Sequence, residues 1–179
     1  LSLVNNMFEG RNQIIKKYYT KIFSVILIIF LILIAVRFLV ISPGRISGNS
    51  MEPNFHDKEG VFINKVIYLL QKPQRFDVVE LVEPQTDKIM IKRIISLPNE
   101  IVTIKGGEVF LQEKQGADLI PVAEPYLPAG RQNTAEKEIV SALGPNSYYV
   151  LGDKRDASTD SRIYGPVDRQ GILGKIIEF

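Results

Sequence analysis

The sequence has no cysteine and a single histidine among its 179 residues. Without Cys there is no disulfide framework, no thiol nucleophile and no Cys-ligated metal. The compartment stays open, since a thiol-free chain suits oxidising and reducing surroundings alike. One His rules out a His-rich metal site. It also makes any Ser-His-Asp protease depend on His56, which follows Ser50 closely in a loop-like stretch and reads as a surface residue. An excess of one charge is missing too. The 22 Lys and Arg against 20 Asp and Glu leave a formal +2, too little to point to nucleic acid. There is no internal repeat and no low-complexity tract, and the Gly spacing of a phosphate-binding P-loop is absent. No metal, cofactor or nucleic-acid partner is expected.

What is present is uneven. Arg11, Lys16, Lys17 and Lys21 face one acid, Glu9, in residues 1–21. Directly after them comes IFSVILIIFLILIAVRFLVI, Ile22 to Ile41, broken only by Ser24 and Arg37. Twenty helical residues reach about 30 Å, roughly the hydrocarbon thickness of a bilayer. The segment is apolar all round, as a lipid-facing helix must be. Tyr18 and Tyr19 sit at interfacial positions, and Arg37 is placed to snorkel to headgroups. A buried core helix and a cleaved signal peptide are the rival readings. The length and the lopsided charge oppose the first. Pro43-Gly44-Arg45, where a small-x-small cleavage site would stand, opposes the second. The positive-inside rule puts residues 1–21 in the cytoplasm and 42–179 across the membrane.

Pro43, Gly44 and Gly48 end the helix, and the remainder is short, β-branched and punctuated by Gly and Pro. Strands are expected at Val61–Asn64, Asp77–Val82, Lys88–Ser96, Glu100–Ile104, Val109–Gln112, Ser147–Leu151 and Ile172–Glu178. Lys105-Gly106-Gly107-Glu108 has the composition of a hairpin turn. Val66–Leu70 fits a strand extension or a helical turn. Residues 113–146 read as loops with one or two poor strands. The fold class is all-β: one domain of about 135 residues, a sandwich or partly open barrel, behind a single helix.

Three segments carry side chains that can do chemistry, and each has a structural alternative. In Ser47-Gly48-Asn49-Ser50-Met51-Glu52-Pro53-Asn54, Gly48 and Pro53 could hold Ser50 at a rigid loop edge, or Ser50 could simply be a turn residue. In Ile89-Met90-Ile91-Lys92-Arg93-Ile94-Ile95, Lys92 has apolar neighbours on both sides. Burial there would lower its pKa and free a neutral amine; an edge strand would leave it solvated. Gly152 to Arg162 alternates acids and arginines, either as a loop tied by ion pairs or as a polar surface loop.

In this order, after one apolar helix, the segments resemble bacterial type I signal peptidases, the Ser-Lys proteases of the S26 class. The nucleophile box of that family is close to S-G-x-S-M-x-P-T; here Asn54 replaces Thr. The lysine box resembles K-R-x-x-x-L-P-G-D; here Asn99-Glu100 replaces Gly-Asp. The last box resembles G-D-N-R-D-x-S-x-D-S-R; here Lys154 replaces Asn. A G-D-I-V box appears as Phe76-Asp77-Val78-Val79.

The resemblance implies a signal-peptidase-like β-domain and a role for each matched residue. Ser50 attacks the scissile carbonyl, and neutral Lys92 takes its proton. Ser158 orients the Lys92 amine, and the Ser50 backbone N–H donates to the oxyanion. Asp153, Arg93, Asp160 and Arg162 shape the loop around the site, and Met51 walls the substrate pocket. Some relatives add a hydroxyl two positions before the nucleophile; Gly48 removes it here. The implied substrate is the signal peptide of an exported preprotein, paired as a strand beside Asp87–Lys92 and cut after small, Ala-like residues. The implied location is the cell membrane, whose lipid is the other expected partner. Open alternatives are a dedicated Ser-Lys peptidase for pilin or conjugation proteins and an inactive membrane-anchored binding protein. A LexA-like self-cleaving repressor shares the dyad but would bring a DNA-binding half, not a spanning helix.

Overall fold

The computed structural model describes residues 2–128 and 138–177, with side chains for all of these except 2–14 and 37–39. The chain divides into two units at Val40/Ile41. The first is one helix, α1 (Ser2–Val40). Its apolar stretch long enough to cross a membrane is Ile15–Val36, with none of it buried. The side chain of Arg37, expected to snorkel, lies outside the described residues. The helix stops one residue short of the expected span, because Ile41 already belongs to a strand.

The second unit holds β1 (Ile41–Arg45), β2 (Gly60–Asn64), α2 (Ile67–Leu70), β3 (Val78–Val82), β4 (Ile89–Ser96), β5 (Ile101–Lys105), β6 (Glu108–Gln112), β7 (Ile120–Pro121), β8 (Ile139–Ala142), β9 (Ser147–Leu151), α3 (Ser161–Tyr164), β10 (Val167–Asp168) and β11 (Ile172–Ile177). They form a seven-stranded sheet in the order β1-β2-β11-β3-β4-β9-β10 and a four-stranded sheet in the order β7-β6-β5-β8. Every pairing is antiparallel. The seven expected strands correspond to β2, β3, β4, β5, β6, β9 and β11 with ends shifted by a residue or so. Residue Glu178 of the last one lies outside the described residues.

The differences have local causes. Pro43 and Gly44 end the helix but do not form a loop. They lie in β1, the edge of the large sheet, where a proline costs no ladder hydrogen bond on its open side. Val66–Leu70 becomes a helical turn because the Asn64 side chain accepts from the N–H groups of Val66 and Ile67, at 3.2 and 3.0 Å. The Gly106-Gly107 turn has φ of 57° and 85°, as a two-residue type I′ hairpin requires.

Each sheet face buries its own apolar set. Val79, Leu81, Ile94, Val150 and Ile172 pack on one side of the large sheet. Ile46, Met51, Phe55, Val61, Val78 and Ile176 pack in a second cluster. Ile95, Val102, Ile104, Tyr149 and Leu151 join the two sheets. This explains the missing alternation in β4. From Lys92 onward every residue of that strand is buried. A central strand covered on both faces reads as a continuous apolar run.

Three topological facts position the site. β1 feeds the loop that holds Ser50. β4 lies between β3 and β9. β9 runs straight into the Gly152 loop. The pairing of β4 with β3 spans 89–93, whereas its pairing with β9 involves only Arg93, Ile94 and Ser96. Among the described residues, the other edge of 89–92 therefore carries no strand.

Candidate active site

Lys92 is 3% exposed and sits opposite the buried Val79 on β3. Its Nζ donates to Ser50 Oγ at 2.8 Å and to the Ile91 carbonyl at 3.2 Å. The fold thus closes a sequence separation of 42 residues to one hydrogen bond. Burial lowers the Lys92 pKa to about 8. The carboxylates of Asp160 and Asp153 oppose this drop, and the Arg162 guanidinium adds to it. A lysine in water is almost wholly charged at pH 8; burial brings the neutral form of this one within reach there.

The Ser50 turn is built from short-range contacts. Glu52 N–H donates to the Asn49 carbonyl at 3.1 Å and Phe55 N–H to the Met51 carbonyl at 3.0 Å. Gly48, at φ 85°, directs its N–H to Asp57 Oδ1 at 2.8 Å. Met51 is 1% exposed and anchors the turn in the apolar cluster beneath it.

The Gly152 loop clamps this turn from the other side. Lys154 N–H donates to the Ser50 carbonyl at 3.0 Å. Gly152 allows the approach: a Cβ there would stand 2.6 Å from the Ser50 carbonyl oxygen. Asp160 fixes the loop by accepting from Gly152 N–H at 3.0 Å and from Arg162 Nε and Nη2 at 2.8 Å each. It also caps α3. Asp153, fully buried, accepts from Arg93 Nε at 2.9 Å and Nη2 at 2.8 Å. This fork ties the loop to the residue next to Lys92. Of the residues singled out in the sequence, Ser50 and Lys92 meet directly, and Asp153, Arg93, Asp160 and Arg162 form the two ion pairs around them. Ser158 differs. Its buried Oγ packs beside Gly152 and makes no hydrogen bond among the described residues, so the link to Lys92 implied by the resemblance is not made here. His56 stays on the surface, its side chain 70% exposed and beside Glu59.

Three departures from the family motifs, Asn54, Lys154 and Glu100, find side-chain partners. Asn54 Nδ2 donates to Asp153 Oδ2 at 2.7 Å and to the Tyr126 carbonyl at 2.9 Å. Lys154 Nζ pairs with Glu52 Oε2 at 2.9 Å. Asn99 takes φ 69°, a left-handed position that Asn tolerates in place of Gly. Glu100 accepts from Leu97 N–H at 2.7 Å and Ser96 Oγ at 2.9 Å, and pairs with Arg75 at 2.6 Å. Burial pushes the Glu100 carboxyl up, but these donors outweigh it and hold it below the usual range.

A further support escaped the sequence reading. Glu124 and Tyr126 come from the aperiodic stretch 113–146. Buried Arg155 reaches Glu124 with both terminal nitrogens and donates to Tyr126 Oη at 3.2 Å. The Arg93 guanidinium stacks 4.2 Å from the Tyr126 ring centre. Neither residue belongs to a box or a period, so no sequence signal singled them out.

A cleft of about 330 Å³ opens beside the pair, and Ser50, Met51, Lys92, Lys88 and the first residues of β4, Ile89 to Ile91, line it. Comparison with known proteins gives this arrangement its family. A family model described as signal peptidase, peptidase S26, matches residues 19–179. The chain belongs to that family. As a member it is a serine endopeptidase, a signal peptidase that removes signal peptides. Signal peptidase I V of Bacillus subtilis (strain 168) is 32% identical over 143 residues, covering 74% of this chain and 81% of that protein. Signal peptidase I T of the same strain is 34% identical over 146 residues, covering 76% and 72%. A crystal structure of a signal peptidase I from Enterococcus faecalis V583 aligns with 59% of this chain and 97% of its own at 27% identity, with a TM-score of 0.49.

Proposed function

We propose that Ser50 and Lys92 are the nucleophile and general base of this signal peptidase, acting on exported preproteins after small, Ala-like residues. The observation that carries the reading is the 2.8 Å hydrogen bond from a buried, readily neutralised Lys92 to Ser50 Oγ at the floor of an open cleft. Neutral Lys92 takes the hydroxyl proton as Oγ attacks the scissile carbonyl. It returns that proton to the leaving amine. The Ser50 N–H donates to the developing oxyanion. With Gly48 two positions earlier, no side-chain hydroxyl from that position joins it. The unpaired edge of β4 receives the substrate as an added strand, and Met51 contributes to the wall of the pocket. The apolar helix anchors the enzyme in the cell membrane, with residues 1–21 cytoplasmic and the β-domain outside. There it meets membrane-held precursors at high effective concentration.

The test is cleavage of a secretory precursor in detergent by the full chain. Cleavage should fall when the residue before the cut, or two places further back, is enlarged from Ala to Leu. A panel including pilin precursors separates a general from a dedicated peptidase. Indifference to the size of those residues would sink the assigned specificity.

The pH profile follows from Lys92. Only its neutral form is a base, so kcat/KM should rise with pH and reach half its limit near pH 8. Below that value each pH unit should cost about tenfold. A rate that stays flat down to pH 5 would exclude Lys92 as the base.

For Ser158 we propose orientation of the Lys92 amine by a turn of its hydroxyl when substrate enters. Ser158→Ala should lower turnover and leave the melting temperature unchanged, because the hydroxyl forms no bond whose loss would destabilise the resting enzyme. Wild-type turnover in the folded variant would remove Ser158 from the mechanism.

A further inference from the structure

The cleft holds charged side chains that the cleavage chemistry leaves unused. Besides Lys92, its ionisable lining residues are Arg45, Lys88 and Glu80. Arg45 and Lys88 are exposed, and Glu80 is half-buried. Among the described residues, none of these three side chains has an ion-pair or hydrogen-bond partner. The charged residues around the catalytic pair differ: Arg93 is paired with Asp153 and Arg162 with Asp160. A charge left without a partner beside a substrate cleft is available to the substrate.

The walls of the cleft fix where these charges stand. One wall is the run from Arg45 to Met51, and the other is the run from Lys88 to Lys92. Ser50 and Lys92 meet near the far end of each run, so each wall begins with a cation. Four residues of extended chain carry Lys88 about 13 Å from Lys92, at ~3.3 Å per residue. Consider a precursor laid as a strand along the open edge of 89–92, its scissile bond at Ser50. Its fourth or fifth residue from the cut then comes to Lys88. Glu80 lies opposite Ile91 on β3, nearer the catalytic pair, and forms no ion pair with either cation. Asp87 precedes Lys88 in the chain but does not line the cleft.

We infer that Arg45 and Lys88 form a cationic subsite, which takes an acidic side chain of the precursor four or five residues from the cut. The carboxylate accepts charge-assisted hydrogen bonds from both side chains. The inference rests on reading Ser50 and Lys92 as the catalytic pair and the edge of β4 as the strand that pairs with substrate. The direction of the bound strand decides whether the acid belongs to the signal peptide or to the mature chain, and the test separates the two.

The full chain in neutral detergent would be given a secretory precursor with Gln at the fourth, fifth and sixth positions on each side of the cut. Single Glu replacements then scan those positions. At one position, or two adjacent ones, kcat/KM should rise about tenfold over the Gln precursor. The rise should fall on one side of the cut only, and that side gives the direction of the strand. Lys at the same position should slow cleavage. Arg45→Gln and Lys88→Gln should each lower the Glu-to-Gln ratio about threefold, and the double variant should bring it to one. The ratio is read within each variant, so a loss of activity common to both precursors cancels. Glu80→Gln should raise the ratio about twofold. Salt at about 1 M should shrink it. A ratio of one at every position, or a ratio that survives in the double variant, would overturn the subsite and leave the catalytic pair standing. So would an equal gain at all scanned positions, the mark of bulk attraction. Failure to cut any of the precursors would remove both readings.

Discussion

Ser50→Ala and Lys92→Met should each abolish precursor cleavage, by at least ~10⁴-fold, while the β-domain remains folded. The two losses have different causes. Ser50→Ala removes the proposed attacking oxygen and the hydrogen bond that Lys92 Nζ donates to it. Lys92→Met keeps most of the length and apolar packing of the side chain but removes the amine, the proposed base. The double variant should be little worse than either single one, since nucleophile and base act as a unit. Lys92→Met carries a second, opposite signature. The folded-state pKa of Lys92 is depressed from 10.5 to about 8. Between those values the unfolded chain holds a proton that the folded chain has shed, so stability rises with pH across that window. Below about pH 8 the buried ammonium exerts its full cost. Methionine has no such cost, so Lys92→Met should be more stable at pH 7 by about 2–3 kcal/mol. The gain should shrink as the pH approaches 10.5. Denaturant unfolding at pH 7 and pH 10 checks this. Equal stability of the two proteins at pH 7 would contradict a desolvated amine.

Asp153→Ala should destabilise the domain by about 3–5 kcal/mol. It takes the carboxylate away from Arg93, whose guanidinium is 6% exposed and cannot easily recover water. It also takes the acceptor from Asn54, one of the contacts between the Ser50 turn and the Gly152 loop. Because that variant could unfold, Asp153→Asn is the sharper probe. It retains an acceptor oxygen and loses the charge. Asp153 is one of two carboxylates that raise the Lys92 pKa against burial. Its neutralisation should therefore move the rising limb of the pH profile below 8. A limb that stays at 8 in a folded Asp153→Asn enzyme would mean that Asp153 only supports the loop. The Arg93–Asp153 fork thus links stability to the chemistry of its neighbour, Lys92.

The contrast between Ser158 and Arg155 shows how far the motifs reach. Ser158 is named by its box, yet its hydroxyl is unbonded in the resting structure. Arg155 lies in the same box, but the Glu124 it grips comes from a stretch with no period and no motif. A motif marks which residues recur together. It does not state which contacts hold before substrate arrives, nor which distant loop closes on it.

The apolar helix, the antiparallel β-domain, seven of its strands and the candidate pair are legible in the residues alone. Those features rest on local quantities: run length, β-branched composition, paired glycines in a turn, and a motif order after one helix. The rest depends on how the segments meet in space. The fold put Pro43 and Gly44 in an edge strand, because strand pairing lies outside local propensity. It made Lys92 a buried lysine rather than a solvated one, because β4 is flanked by β3 and β9 in space. Among the described residues it left 89–92 with an open edge, because β9 stops pairing at Arg93. Burial and pairing are set by which segments meet, and a lysine's pKa follows from both.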